Sequence, residues 1–257
     1  MPRKSKSQRL QEIHDEALHK FGEIQTATIN VRRQCRDDRR FYSIAGAQWE
    51  GQLSEYYENR PRLEVNKVHL SVMRIINEYR NNRISVNFIS RDGDENDELV
   101  ETCASLYRAS EQDSVADEAY DNAFEEAVGG GFGAFRLRTE YEDAYDEENE
   151  YQCIKIEPIF DADTTVYFDL NAKRQDKADA ERCYVLTAMT RDGYRDMWGD
   201  DPATWPQEIS TSTFDWATAD VVYVAEFYCV EEATNTSRAI ESQTSPHLWM
   251  AFVIFDR

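Results

Sequence analysis

The sequence predicts an α+β fold, with long helices first and mostly antiparallel strands after them. Three observations carry that reading. Apolar residues recur at steps of 3 and 4 over residues 8–38 and again over 95–128, which keeps them on one helical stripe. Beyond residue 134 the period changes to 2, the spacing of half-buried strands. The order, helices and then strands, is that of an α+β chain. The expected division is therefore 1–134, mainly helical, and 135–257, mainly β.

Each element has its own signal. Leu10, Ile13, Ala17, Phe21, Ile24, Thr28, Val31 and Cys35 form the stripe of the first helix. One apolar stripe with two wet flanks suits a helix lying on a neighbouring surface, within the chain or on another subunit. A charge-dense run, Arg36 to Phe41, leads into an aromatic-rich block over 42–58. Pro61 disfavours helix at Arg60 and marks a break. Asn66 can cap a second helix through Tyr79, with Val68, Val72, Ile75, Ile76 and Tyr79 on the buried side. Ile84, Val86 and Phe88 alternate as in a strand. The third helix, 95–128, is expected to stop at Gly129, Gly130 and Gly131. Residues 135–141 and 151–159 read as a hairpin around an acidic tip at 142–150. Further strands are expected at 164–168, 183–189, 221–230 and 248–255. Thr190 caps a short helix over 191–198, ended by Gly199 and Pro202. The last of these strands is apolar and has no tail after it, the expected look of a truncated product.

Composition narrows the function. The chain has 257 residues, 29 Lys and Arg against 50 Asp and Glu, and a formal net charge of -21. Such a surface repels phosphate unless its few cations are segregated, so a generic DNA binder is not expected. Hydrophobic residues make up 41% and aromatics 12%, too rich for wholesale disorder. No apolar run approaches the roughly 20 residues that span a bilayer. The basic start, MPRKSKSQRL, lacks the apolar segment of a secretory signal. Five cysteines at wide spacing (Cys35, Cys103, Cys153, Cys183 and Cys229) form no CxxC pair and fit reduced thiols. The four histidines are equally scattered. The sequon Asn235-Thr236-Ser237 reads as chance without a signal peptide.

The chemical motifs are weak. Gly129-Gly130-Gly131-Phe132-Gly133 follows a helix and precedes a strand, the reverse of a phosphate-cradling loop, so it reads as a tight αβ connection. The segment from Asp92 begins like a calcium loop, but Asp97 stands where Gly is needed and Cys103 where Glu is needed. Asp161, Asp163 and Asp169 flank a short strand and could form a carboxylate set for metal-dependent hydrolysis. No nucleophile or histidine lies near them in sequence, and no GxSxG or HExxH occurs. No catalytic residue, cofactor or metal site is expected.

One resemblance joins the remaining features. The run comprises Arg40-Phe41, Gly46-Ala47-Gln48-Trp49, Asn59-Arg60-Pro61, Val65-Asn66-Lys67-Val68 and Tyr79-Arg80-Asn81-Asn82-Arg83-Ile84. It continues with the glycine segment 128–134, Phe168-Asp169, the acidic stretch 176–181 and VVYVAE at 221–226. In that order it resembles the portal, or head-to-tail connector, proteins of short-tailed phages, over about residues 10–232. Phe41, Gln48, Trp49, Arg60, Pro61, Asn66, Arg80, Asn82, Gly131, Gly133 and Asp169 are the positions that carry it. The resemblance implies a non-enzymatic subunit of a twelve-membered ring at a capsid vertex, assembled in the bacterial cytoplasm. Its implied partners are further copies of itself, capsid protein, the terminase motor, tail adaptor proteins and transiting double-stranded DNA, with no membrane. It also implies that this chain belongs to the wing and stops near the stem and clip. The helix at 8–38 and the aromatic block at 41–57 are the expected subunit interface, and acidic loops such as 142–150 are expected to face solvent or lumen. A metal-dependent hydrolase using Asp161, Asp163 and Asp169, or a soluble adaptor that forms no ring, are the competing readings.

Overall fold

The structure, a computed structural model, describes residues 6–90, 97–142, 151–199, 214–231 and 248–254. Among them the chain runs α1 (Lys6–Ser43), a 3₁₀ turn (Ala47–Trp49), α2 (Gln52–Tyr56), α3 (Lys67–Asn81), α4 (Asp97–Asp113) and α5 (Ala116–Gly130). It continues with β1 (Phe135–Tyr141), β2 (Gln152–Pro158), α6 (Ala162–Thr165), β3 (Val166–Phe168), β4 (Arg182–Thr190), α7 (Arg191–Trp198), β5 (Val221–Glu231) and β6 (Leu248–Ile254). Every strand pairing is antiparallel, so the α+β expectation holds. Residues 143–150 of the acidic tip, the 91–96 turn, the sequon and Pro202 lie outside the described residues.

Contacts divide the chain into two compact units, 1–30 with 164–257, and 31–163. Residues 134 and 135 both fall inside the second unit, so the change of secondary structure and the division by contacts come at different places.

The first unit is built on a sheet of order β3-β4-β5-β6. Period-2 alternation on β4 and β5 separates two apolar faces. Tyr184, Leu186, Ala225 and Phe227 pack with Ala17, Phe21 and Ile24 of α1. The other face carries Val222 and Val224, which pack with Tyr194 of α7. Phe21 is central to the first cluster, with ring centroids 4.9 Å from Tyr167, 5.4 Å from Tyr184 and 5.1 Å from Trp216. The Tyr184 hydroxyl donates to the Ala17 carbonyl at 3.0 Å, which satisfies a buried polar group. Thr190 caps α7 as expected, its hydroxyl accepting from Gly193 N at 3.1 Å, and Gly199 ends it.

The second unit packs α3 on α5 and lays α4 and α5 against the hairpin β1–β2. Ala116 and Ala119 of α5 are buried with Ile156 of β2. The hairpin register pairs Arg136 with Glu157, and their side chains bond at 2.7 Å. Asn66 caps α3 by accepting from His69 N at 2.8 Å, as the sequence predicts.

Five expectations need correction. The helix of 95–128 is two helices, because Val115 adopts a left-handed conformation (φ 51) between α4 and α5. Ser114 there turns its hydroxyl to the Ile154 carbonyl, and the break lets α5 bring Ala116 and Ala119 onto β2. Residues 84–88 form no strand: among the described residues the segment has no ladder partner, and Ile84 is 84% exposed. Period 2 marks a strand only where a neighbouring strand satisfies the backbone. On α3 only Ile76 is fully buried, while Val68 and Ile75 are exposed. On α1, Val31 is exposed, while Cys35 is half-buried and is joined at the continuing spacing by half-buried Arg32 and Arg39. The stripe turns from apolar to cationic where carboxylates replace apolar residues opposite it. The strand expected at 164–168 is shorter, beginning after the one-turn helix α6.

Candidate functional site

The most connected polar cluster lies in the second unit, where α1, α5 and the 161–163 segment meet. Arg39 spreads its fork over two carboxylates, 2.7 Å to Asp163 Oδ1 and 2.7 Å to Asp161 Oδ1. Asp163 is only 2% exposed, so its charge depends on that pairing. Arg32, about two helical turns earlier on α1, donates to the Asp163 carbonyl. Glu126 of α5 closes the cluster. Its two oxygens accept the backbone N–H groups of Asp161 at 2.7 Å and Ala162 at 2.9 Å, and Arg39 stands 3.9 Å away. Glu126 thereby caps the first turn of α6 with negative charge. Burial pushes its carboxyl above the ordinary range, against the pull of those N–H groups and of Arg39.

Glycine lets the helices approach. A Cβ on Gly129 would lie 2.2 Å from the Tyr42 hydroxyl, and one on Gly130 would lie 2.8 Å from Arg39 Cδ. The helix therefore runs through both and ends only at Gly131, in a left-handed cap at φ 86. Gly133 is tighter still, since a Cβ there would fall 1.9 Å from the Ala123 carbonyl oxygen. Gly133→Ala is accordingly expected to lower unfolding free energy by about 3 kcal/mol, read as an earlier urea midpoint. An unchanged midpoint would contradict this packing.

Beside this cluster, α3 is tied to α5 by a ladder. Arg80 reaches Asp121 at 3.4 Å and Glu125 at 3.3 Å, and Arg83 reaches Asp121 at 2.9 Å and also Asp117. Between them the rings of Tyr79 and Phe124 stack at 4.0 Å. These acids recur every four residues, one face of α5.

The geometry is that of a brace. Asp161 and Asp163, the carboxylates that the competing hydrolase reading would use, are both engaged by Arg39. Asp169 lies in the other unit and accepts from Asn171 N at 3.2 Å. No group of three or more His, Cys, Asp or Glu side chains able to hold a metal occurs among the described residues. Burial pushes the Cys183 thiol up to about 12, so it stays protonated and unreactive. No helix among the described residues is long and apolar enough to cross a membrane.

Comparison with known proteins supplies what the brace alone does not. A family model described as phage P22-like portal protein matches residues 18–247. The chain belongs to the phage P22-like portal protein family. Over 230 residues it is also 37% identical to the portal protein of Acyrthosiphon pisum secondary endosymbiont phage 1. That alignment covers 87% of this chain and 32% of the relative, so the chain spans about a third of that portal protein's length.

Apart from Asp169, the positions carrying the portal resemblance sort into two kinds. Asn66, Arg80, Asn82, Gly131 and Gly133 shape the backbone or join helices. Asn66 also donates to the Tyr42 carbonyl at 2.8 Å, and Asn82 donates to Glu78 O at 3.1 Å at the end of α3. Phe41, Gln48, Trp49, Arg60 and Pro61 lie in or beside the aromatic block. Trp49 sits edge-on to Tyr57 at 5.1 Å, and the Arg60 guanidinium lies over Tyr56 at 5.1 Å. Arg40–Glu50 at 2.7 Å and Gly46 N–Glu64 at 2.7 Å tie the block to its flanks. Sequence reading missed Arg39, Glu126 and Glu64. The available signals were charges at helical spacing on otherwise apolar stripes: Arg39 after Cys35, and Glu126 after Ala116, Ala119 and Ala123.

Proposed function

We propose that this chain is part of a phage portal subunit, which assembles head-to-tail into a ring at the capsid vertex. The ring is a conduit for double-stranded DNA during packaging and ejection, and a docking platform for terminase and tail proteins. Twelve copies, a place in the wing and assembly in the bacterial cytoplasm follow the family pattern. The role is structural, with no catalytic residue, cofactor or metal. The observation that carries the proposal is the family match along residues 18–247, nearly the whole chain.

The physical chemistry is consistent with it. A closed ring needs two different complementary faces on each subunit. Packed α-helices braced by Arg39 present such faces rigidly. A net charge of -21 lets DNA pass without the counterion release that would hold it. The test is the assembly state of the protein carrying this chain, expressed from its whole reading frame. Native mass spectrometry should give a multiple of the subunit mass, and negative-stain images should show rings with a central hole. A species that stays monomeric at micromolar concentration overturns the proposal in favour of a non-ring adaptor.

A further inference from the structure

Between Ile24 and Ala116 the fully buried apolar residues of the described chain reduce to Ile76 alone. The same stretch carries many large apolar side chains in the open, most of them on or beside α3 and α4. On α3, Ile76 and Tyr79 face α5, while Lys67, Leu70 and Arg74 occupy the opposite side. Leu70 is 68% exposed. A shallow depression of about 520 Å³ runs along this side from Leu70 and Met73 through Arg74 and Asn77 to Asn82. On α4, Leu99, Thr102, Leu106 and Ala109 step by 3 and 4 along one exposed seam, with Leu99 at 57% and Leu106 at 64% exposure. Steps of this kind are the seam by which helices pack on helices.

The two faces differ in charge. Helix α3 carries Lys67, Arg74 and Arg80 against one acid, Glu78, and Arg80 is already committed to α5. Helix α4 carries five acids against Arg108. Among the described residues Lys67 and Arg74 on one face, and Glu98 and Glu101 on the other, are exposed at the edges of the apolar strips.

We infer that the outer face of α3 receives the α4 seam of a second copy of this chain, with Leu70 against Leu99 and Leu106, and Lys67 and Arg74 facing Glu98 and Glu101. Such a contact is heterologous, one face meeting a different face, so it repeats from copy to copy, as a closed ring requires. Opposite charge selects this pairing and disfavours α3 against α3 or α4 against α4. The inference rests on the portal reading and specifies the surfaces that reading needs.

Charge reversal tests it in the protein expressed from its whole reading frame. The Lys67→Glu, Arg74→Glu variant and the Glu98→Lys, Glu101→Lys variant should each lose ring formation, with at least a tenfold fall in the assembled fraction by native mass spectrometry. Mixed in equal amounts the two variants should assemble again, because every contact in an alternating ring then joins opposite charges. Rescue by mixing also shows that both variants are folded. Rings formed by either variant alone at the unaltered level, or no recovery on mixing, overturn the inference. If the unaltered protein itself forms no ring, the portal reading fails first and takes the inference with it.

Discussion

Arg39→Ala is expected to destabilise the protein by about 3 kcal/mol, the largest effect of any single charged residue here. Arg39 is the cation that meets Asp163 at 2.7 Å, and Asp163 is 2% exposed. Removing one partner of a buried pair leaves the other charge without compensation, which typically costs about 3–5 kcal/mol. The lower end applies because the second arm of the fork holds Asp161, whose side chain is 64% exposed and screened by water. Arg39→Lys should recover only part of the loss, since an ammonium cannot serve two carboxylates through a planar fork. The variant should also change its dependence on pH. Burial already raises the Glu126 carboxyl above 4.5, and Arg39 is one of the influences that lower it. A raised carboxyl contributes stability that is present below its unfolded value near 4.5 and lost as pH rises through its folded value. Without Arg39 the folded value rises further, so the window in which acid stabilises the protein widens upward. Urea midpoints measured from pH 4.5 to 7.5 check this: the deficit of Arg39→Ala should shrink toward the acid end. A deficit below about 1 kcal/mol at neutral pH would show that the brace is ornamental.

Phe21→Ala should cost about 4 kcal/mol, from the aromatic cluster of the first unit. Phe21 is 2% exposed, and its ring lies within 5.4 Å of Tyr167, Tyr184, Phe214 and Trp216, centroid to centroid. Truncation loses the transfer free energy of the ring and leaves a cavity walled by stiff side chains that cannot collapse into it. The Tyr184–Ala17 bond beside it adds to the rigidity of the wall. Near-ultraviolet circular dichroism should lose intensity in the tryptophan region as Trp216 loosens, together with the fall in the urea midpoint. Phe21→Leu, which fills most of the volume, should cost clearly less. Equal losses for both variants would mean that ring geometry rather than volume holds the cluster.

These two sites also show where sequence reasoning reached and where it stopped. Phe21 stands in a run of apolar residues at helical steps, so its burial followed from periodicity alone. Arg39 stands in a run dense with both charges, where its helical spacing after Cys35 is a faint local hint that it is half-buried. Its role depends on residues more than a hundred positions away, Asp161 and Asp163, which the chain brings close only by packing α1 beside α5. The same limit explains residues 84–88, whose alternation is genuine but which pair with no strand among the described residues. It explains Val115 as well: Asp113, Ser114 and Val115 are weaker helix formers, but nothing in them announces a left-handed residue, and the break serves packing on β2.

Composition, period and capping residues determined the α+β class, α1, the capped starts of α3 and α7, the hairpin and the strands from β4 onward. Ordered motifs along the chain pointed to the portal family before any contact was known. Those features are local, or are written in chain order, and survive without tertiary structure. What tertiary structure decided is which charges are spent on holding the fold and which apolar residues remain uncovered. Asp161 and Asp163 look like open ligands until Arg39 occupies them. Val68 and Ile75 read as core until the core is found elsewhere. The pairing of Asp161 and Asp163 with Arg39, and the exposure of Val68 and Ile75, depend on neighbours distant in sequence, so local pattern alone does not assign them.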